Sequence, residues 1–168
     1  MVLIPGGFAL PITNDELKSK IESDFKDKIQ SATVSAQKEV LVIVKPEAYV
    51  SLCRDLRDKP EYTFQHLSCL TAVDYIKENK IMIVCHLWSY KYCVQLTLKL
   101  ELDRNNPKAP TLENVWKSAN WFEREVFDLY GVVFEGHSDL RRIMMPEDYK
   151  KYPLRKDFTD DGFIVKPN

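Results

Sequence analysis

Apolar residues recur at every fourth position near the N-terminal end of the chain. They follow Asn14, a residue type that often caps helices, and they are Leu17, Ile21, Phe25 and Ile29. This spacing predicts a helix of about four turns that begins at Asn14. The next two apolar runs, residues 31–36 and 40–44, are rich in β-branched residues and separated by three polar ones, which predicts a β-hairpin.

The hydrophobic pattern changes again after Pro46. This proline suits the first turn of a helix, whose apolar face continues to about residue 58. Three strands are then predicted, at residues 67–74, 81–88 and 94–102, and the last alternates apolar and polar positions. This order of elements predicts an α+β fold, in which helices pack on one face of an antiparallel or mixed sheet.

A further helix is predicted after a polar loop at residues 103–110. Residues 111–117 look helical, Asn120 followed by Glu123 has the form of a capping box, and Gly131 is placed to end the helix. One side of this helix is apolar, and Glu123 and Glu125 flank it. The opposite side carries Trp121, Arg124 and Asp128, so we expect both sides to be buried, with an ion pair between Arg124 and Asp128.

Beyond Phe134 neither a helical nor a strand period remains. Pro146, Pro153 and Pro167 restrict regular structure, and six Arg and Lys residues lie between positions 141 and 156. We expect an extended arm that is ordered only against other chains, with Arg141 paired to Asp139 or to a partner carboxylate. The predicted organisation is an N-terminal segment with the first helix (1–30), an α+β core domain (31–136) and this arm (137–168).

Composition excludes several classes of protein. A net charge of −1 argues against a nucleic-acid-binding protein, which needs a basic excess, and no apolar run reaches the roughly 18 residues of a membrane helix. The apolar N-terminus lacks a basic region and is broken by Pro and Gly, so we expect no signal peptide. The four cysteines are separated by 16, 16 and 8 residues, which fits single buried thiols in a reducing compartment better than a metal or iron–sulfur site.

Catalytic and cofactor motifs are absent from the sequence. The five glycines are too scattered for a phosphate-binding loop, and the three histidines lack metal-ligand spacing. His86 fits a hydrogen-bonded structural histidine in a strand. Glu123 and Glu125, two apart on a helix, rarely converge on one substrate atom. We therefore expect no catalytic residue, bound cofactor or metal in this chain.

One stretch resembles a known signature. Glu123-Arg124-Glu125, then Asp128, His137 and the run from Arg141 to Met144 resemble the signature of the 30 kDa subunit of respiratory complex I, and the residues from Met145 to Phe158 are similar to the family's next blocks. The resemblance covers roughly residues 30 to 160. It implies an α+β domain without a redox centre that holds neighbouring subunits in the peripheral arm of the complex. Because the chain ends at Asn168, we expect the form that is not fused to the quinone-site subunit, the forty-nine-kilodalton partner that helps form the quinone site.

The resemblance implies a non-catalytic structural subunit of an ion-pumping NADH:quinone oxidoreductase. Its partners would be the quinone-site subunit and the iron–sulfur subunits; clusters, flavin and quinone would lie in those partners, and membrane contact on the cytoplasmic side, or in the equivalent organelle compartment, would be indirect. The expected interface residues are Trp121, Glu123, Arg124, Glu125, Asp128, His137, Arg141, Arg142, Met144, Pro146, Pro153, Arg155, Lys156 and Asp157. Photosynthetic, coenzyme F420-dependent and hydrogenase complexes carry the same signature. The rivals from other classes are a metal hydrolase using Glu123, Glu125 and His137, and a nucleic-acid adaptor using residues 141–156.

Overall fold

The computed structural model describes residues 12–36 and 39–159. Helix α1 (Asn14–Asp24) is capped by Thr13, whose hydroxyl accepts the N–H of Glu16 at 3.3 Å while Glu16 accepts the N–H of Thr13 at 2.9 Å. The cap is therefore Thr13, and the prediction of Asn14 was wrong by one position. The helix is also shorter than predicted, because Phe25 ends it and Ile29 is already the first residue of a strand.

The described residues contain a five-stranded mixed sheet. Its strands are β1 (Ile29–Val34), β2 (Val40–Val44), β3 (His66–Tyr75), β4 (Lys80–Ser89) and β5 (Val94–Asp103). They lie in the order β1-β2-β5-β4-β3, and β2 pairs with β5 in parallel while the other neighbours are antiparallel. The predicted hairpin is confirmed as β1 and β2, although residues 37–38 of its loop lie outside the described residues.

The helices cover one face of this sheet. A row of paired residues on that face is almost fully buried, and it runs across four strands through Val42, Leu98, Cys85 and Leu70. Helix α2 (Tyr49–Asp58), which follows a 3₁₀ turn opened by Pro46, packs here, and its Tyr49 hydroxyl lies 3.3 Å from the Cys85 sulfur. Leu17 and Ile21 of α1 join the same core. The predicted α+β fold is thus confirmed, with the mixed form of the sheet.

The opposite face of the sheet carries the other set of side chains. His86 lies there, within hydrogen-bonding distance of the Thr97 hydroxyl (3.1 Å) and the Gln95 amide (3.2 Å). These bonds agree with the structural role predicted for His86. No helix of the described residues covers this face, so the domain is built from two layers.

The C-terminal part contains three corrections. Residues 111–117 form turns rather than the predicted helix, and a short strand β6 (Lys108–Pro110), in the predicted loop, pairs in parallel with β7 (Val133–Glu135). Helix α3 (Ala119–Tyr130) begins after Ser118, which makes no side-chain cap. The predicted capping box at Asn120 was therefore wrong, because Glu123 bonds to residues 111–112 instead. Gly131 ends α3 as predicted, with a φ of 75°.

Candidate subunit interface

The carboxylate of Asp128 holds the start of the C-terminal arm against α3. Its Oδ2 accepts three consecutive backbone N–H groups, from Ile143 (2.9 Å), Met144 (2.7 Å) and Met145 (3.0 Å). Its Oδ1 accepts the Arg142 guanidinium at 2.7 Å. Burial alone would raise the pKa of Asp128, but these hydrogen bonds together lower it below its usual value. A run of backbone N–H groups around one anion binds it strongly, so Asp128 is an internal anchor.

Arg124 does not form the predicted pair with Asp128. Its guanidinium lies over the ring of Trp121, with 3.9 Å between the guanidinium carbon and the ring centroid. Its hydrogen bonds go to Asn120 Oδ1 at 3.2 Å and, at 3.4 Å, to Asp139 Oδ2. The hydrogen-bond acceptors of Asp128 are occupied by donors from the arm, and Arg124 bonds elsewhere. The Arg124 Nε atom is buried and has no hydrogen-bond partner within the described part of the chain.

A second anchor holds the far end of the arm. Arg104 binds Asp74 through two nitrogens, at 2.7 and 3.0 Å, and it also reaches Asp157 at 2.6 Å. The N–H of Lys156 donates to Asp74 at 2.8 Å. Arg104 lowers the pKa of Asp74, and the Lys156 bond acts in the same direction. Asp74 and Arg104 were not predicted as site residues, although a carboxylate on the core face of strand β3 is a signal for a buried cation.

The arm also completes the C-terminal end of α3. The N–H of Leu154 donates to the carbonyl of Leu129 at 3.1 Å, and Arg155 Nε donates to the carbonyl of Tyr130 at 2.7 Å. These carbonyls have no partner inside the helix, and a cation at this end is favourable. Residues 137–159 therefore lie on their own domain, which corrects the expectation that the arm is ordered only against other chains. The arm is irregular, as predicted.

Tyr152 packs directly on Gly131. A Cβ atom on Gly131 would lie 2.5 Å from the Tyr152 ring, so the contact requires glycine, as does the positive φ. The guanidinium carbons of Arg142 and Arg155 lie 5.3 and 5.0 Å from the centre of this ring. Tyr152 is thus fixed by the helix end and by two cations.

Glu123 is fully enclosed by its own chain. Its Oε2 accepts the Thr111 hydroxyl at 2.5 Å, and its Oε1 accepts the N–H of Leu112 at 2.6 Å. Burial raises the pKa of Glu123 to about 7, although these two bonds lower it; the neighbouring Glu113 raises it further. Glu125 lies elsewhere, near Cys69 and Tyr130, whose pKa values are raised first by burial and also by its charge. The two glutamates do not converge on one site, in agreement with the sequence analysis.

The predicted interface residues divide into two groups. Glu123, Arg124, Asp128 and the side chain of His137 are buried within the chain, and Arg142, Pro153 and Arg155 are largely or partly covered. Glu125 is half-buried. The exposed members are Trp121, Arg141, Met144, Pro146, Lys156 and Asp157. The predicted Arg141–Asp139 pair is present at 3.0 Å, but both side chains are exposed. For Glu123 and Asp128 the structure indicates internal bonding rather than the direct contact with a partner that the sequence suggested.

The described residues lack two further features. They contain no group of three or more His, Cys, Asp or Glu side chains arranged to hold a metal ion. None of the helices in residues 12–36 and 39–159 is both long and apolar enough to cross a membrane.

Comparisons with known proteins agree with this fold. The family model for the 30 kDa subunit of the respiratory-chain NADH dehydrogenase matches residues 42–163. Among relatives named as the C subunit of NADH-quinone oxidoreductase, that of Roseiflexus sp. (strain RS-1) is 44% identical over 71% of this chain and 69% of its own. The C subunit of Cupriavidus taiwanensis is 39% identical over 89% of this chain and 79% of its own.

Two solved structures share the fold. The trypsin-resistant fragment (1-134) of Nqo5 superimposes with a TM-score of 0.62 at 23% identity, covering 75% of this chain and 98% of that one. A chain of the membrane-bound sulfane sulfur reductase, an archaeal respiratory membrane complex, gives 0.74 at 25% identity, with coverage of 86% and 85%. The α+β domain with its motif-bearing helix is thus that of a complex-I-type oxidoreductase subunit, part of a membrane-associated electron-transport complex. The chain belongs to the family of the 30 kDa subunit of respiratory-chain NADH dehydrogenase.

Replacing Gly131 with alanine should destabilise the protein more than replacing Gly136. Both glycines have a positive φ, but a Cβ atom on Gly136 meets only the Thr111 methyl group, at 3.5 Å. Gly136→Ala should therefore cost about 1 kcal/mol from the backbone alone. Gly131→Ala should cost about 1–3 kcal/mol more, because Tyr152 must move. Urea unfolding of both variants measures the difference, and equal losses would show that the Tyr152 contact is unimportant.

The Asp128→Asn substitution should release the arm. The amide group offers only one acceptor oxygen where the carboxylate serves three N–H groups and Arg142, so about 3 kcal/mol of arm binding should be lost. We expect trypsin to cut between residues 141 and 156 at least tenfold faster than in the wild type. Asp148→Asn, an exposed acidic position on the same arm, is the matched control and should be cut at the wild-type rate. Equal rates for all three proteins would contradict the anchoring role.

Glu123 should make the protein less stable as the pH rises from about 4.5 to about 7. Its pKa in the folded protein is about 7 against an ordinary value of 4.5, so the folded state binds more protons in this window and the stabilisation is complete below it. Glu123→Gln should lose this dependence, which is on the order of 2 kcal/mol in the free energy of unfolding. Unfolding curves of both proteins across the window measure it. An unchanged slope in the variant would refute this assignment.

Proposed function

We propose that this chain is a non-catalytic structural subunit in the peripheral arm of a complex-I-type NADH:quinone oxidoreductase. It would hold the quinone-site subunit and the iron–sulfur subunits in place during electron transfer coupled to ion pumping. Iron–sulfur clusters, flavin and quinone would belong to those partners, and this chain would contact the membrane, on its cytoplasmic or equivalent side, only through the complex. The observation that carries the proposal is the surface formed by α3 and the arm in a member of this family.

This surface combines exposed apolar side chains with rigid support. Trp121 is 62% exposed and Met144 59% exposed, and Ile143 and Leu154 are also exposed on the arm. Beneath them lie the bonds of Asp128 and the stack of Arg124 on Trp121. Large apolar side chains held in fixed positions cost little entropy when they bind, and such residues commonly dominate the affinity of an interface. The exposed Arg141 and Lys156 would supply charged contacts.

The buried residues of the motif would support this surface indirectly. Asp128 fixes the backbone of residues 143–145 and thereby presents Met144 outward, while Glu123 fixes residues 111–112 under α3. Their predicted interface role would then be to position the contacting residues.

An equivalent subunit of another complex-I-like enzyme is the second candidate. The structural similarity to a chain of the archaeal membrane-bound sulfane sulfur reductase favours it specifically. Both candidates use the same surface and differ in the electron donor and acceptor of the complex. A metal hydrolase finds less support, because Glu125 lies apart from Glu123 and His137.

Affinity purification of the tagged chain from its native membranes tests the proposal. We expect a quinone-site subunit and iron–sulfur subunits to co-purify, and the remaining subunits to identify the electron donor. Trp121→Ala should leave the chain folded, because the side chain is exposed, but reduce recovery of the partners about 30-fold, as expected for a binding residue worth about 2 kcal/mol. Tyr90→Ala, at an exposed aromatic residue in the β4–β5 turn, is the matched control and should keep full recovery.

Two outcomes would count against different parts of the proposal. Recovery of the complex with Trp121→Ala at the wild-type level would place the interface elsewhere on the domain. Purification of the wild-type chain without any oxidoreductase subunit would overturn the proposed function itself.

A further inference from the structure

His137 lies where α3 meets the arm, and both of its ring nitrogens bond to the backbone. The side chain is fully buried. Nε2 lies 3.1 Å from the carbonyl oxygen of Asn120, and Nδ1 lies 3.0 Å from the N–H of Asp139. A carbonyl can only accept and a backbone N–H can only donate, so Nε2 carries the proton and Nδ1 is the acceptor. The ring is therefore neutral in this arrangement.

Two carboxylates face the protonated nitrogen. Nε2 lies 3.8 Å from Glu113 Oε2, in the turn before α3, and 4.0 Å from Glu123 Oε2, on α3 itself. Glu113, whose pKa is lowered, carries a negative charge that favours a positive charge on the ring, whereas Glu123, with a pKa of about 7, contributes such a charge only above that pH. Arg124 bonds to the side chains of Asn120 and Asp139 rather than to these carboxylates. The charge of Glu113 thus favours the imidazolium, whereas burial of the ring and the Asp139 hydrogen bond favour the neutral form.

These two influences make opposite demands on the protonation of His137 Nδ1. A second proton on His137 must bind at Nδ1, where it would point at the N–H of Asp139. Two donors cannot share a hydrogen bond, so the Asp139 bond must break. Asp139 is also the carboxylate that contacts Arg124 and, at 3.0 Å, Arg141. Loss of the hydrogen bond between His137 and the Asp139 N–H would therefore also disturb the stacking of Arg124 on Trp121.

We propose that His137 is a proton-operated latch for the start of the arm. The neutral ring holds Asp139 in place. The imidazolium, formed by uptake of one proton from solvent at Nδ1, releases Asp139 and loosens its contact with Arg124. The surface around Trp121 therefore has two states that differ by one proton. The latch depends only on contacts within this chain and goes beyond the proposed function.

Nuclear magnetic resonance of the full-length chain between about pH 8 and about pH 5 tests the latch, because histidine changes charge in this range. The ring nitrogen shifts of His137 should report the Nε2–H form at the upper end and the imidazolium at the lower end. Over the same transition, the exchange protection of the Asp139 amide, corrected for its intrinsic rate, should fall about fivefold, as expected for one lost hydrogen bond.

His137→Asn is the matched control. An asparagine oxygen accepts the N–H two residues ahead in an Asx turn, as His137 Nδ1 does here, but it does not titrate. Protection of Asp139 should stay constant with pH in this variant. Glu113→Gln should move the wild-type transition to lower pH, because it removes one carboxylate from the ring. If the variants fail to fold, the ring and amide signals of the wild type decide the question in one sample.

Three results would overturn the latch. They are a His137 ring that does not titrate in this range, an Asp139 amide that stays protected while the ring titrates, and a fall in protection that persists in His137→Asn.

Discussion

The position of the whole C-terminal arm depends on one buried carboxylate. Asp128 lies inside α3, where an unpaired charge would be costly, and the arm supplies four hydrogen bonds to it. Once residues 142–145 are fixed there, Tyr152 reaches Gly131 and the Leu154 and Arg155 groups reach the free carbonyls at the helix end. The Asp74–Arg104 pair then holds the last described residues. An irregular segment acquires a defined position in this way without forming a helix or a strand.

The elements that could be predicted most directly are those whose side chains alternate between core and solvent. Strand β5 is the clearest case and β3 follows the same rule, whereas β4 was predicted from a continuous apolar run, which is buried at residues 81–85. The errors arise where a side chain from a distant residue decides the local structure. Residues 111–117 have helical character, but Glu123 takes the Leu112 N–H and the Thr111 hydroxyl. The period of α1 continues to Ile29, although pairing with Val44 makes that residue part of β1.

Of the two ion pairs predicted within the candidate site, Arg141–Asp139 is present and Arg124–Asp128 is not. Spacing on a helix suggested a pair between Arg124 and Asp128, because both lie on one side. The actual partners, Asp139 and Arg142, come from a segment without periodicity, for which sequence offers no geometry. Asp74 could have been identified as a site residue from the sequence. It follows Leu70 and Ala72 on the core face of β3, where a buried charge needs a cation such as Arg104. Whether the exposed residues bind other subunits stays a prediction.

The parallel pairing of β2 with β5 at the centre of the sheet has a consequence for folding kinetics. The β1–β2 hairpin can form from neighbouring residues, and so can the antiparallel run of β3, β4 and β5. Joining these two units brings Val42 beside Leu98, with α2, β3 and β4 between them in sequence. Closing so long a loop costs conformational entropy, and this entropy is lost before the β2–β5 contacts can stabilise the structure. We therefore expect the slow step in forming this domain to be the pairing of its two halves at strands β2 and β5.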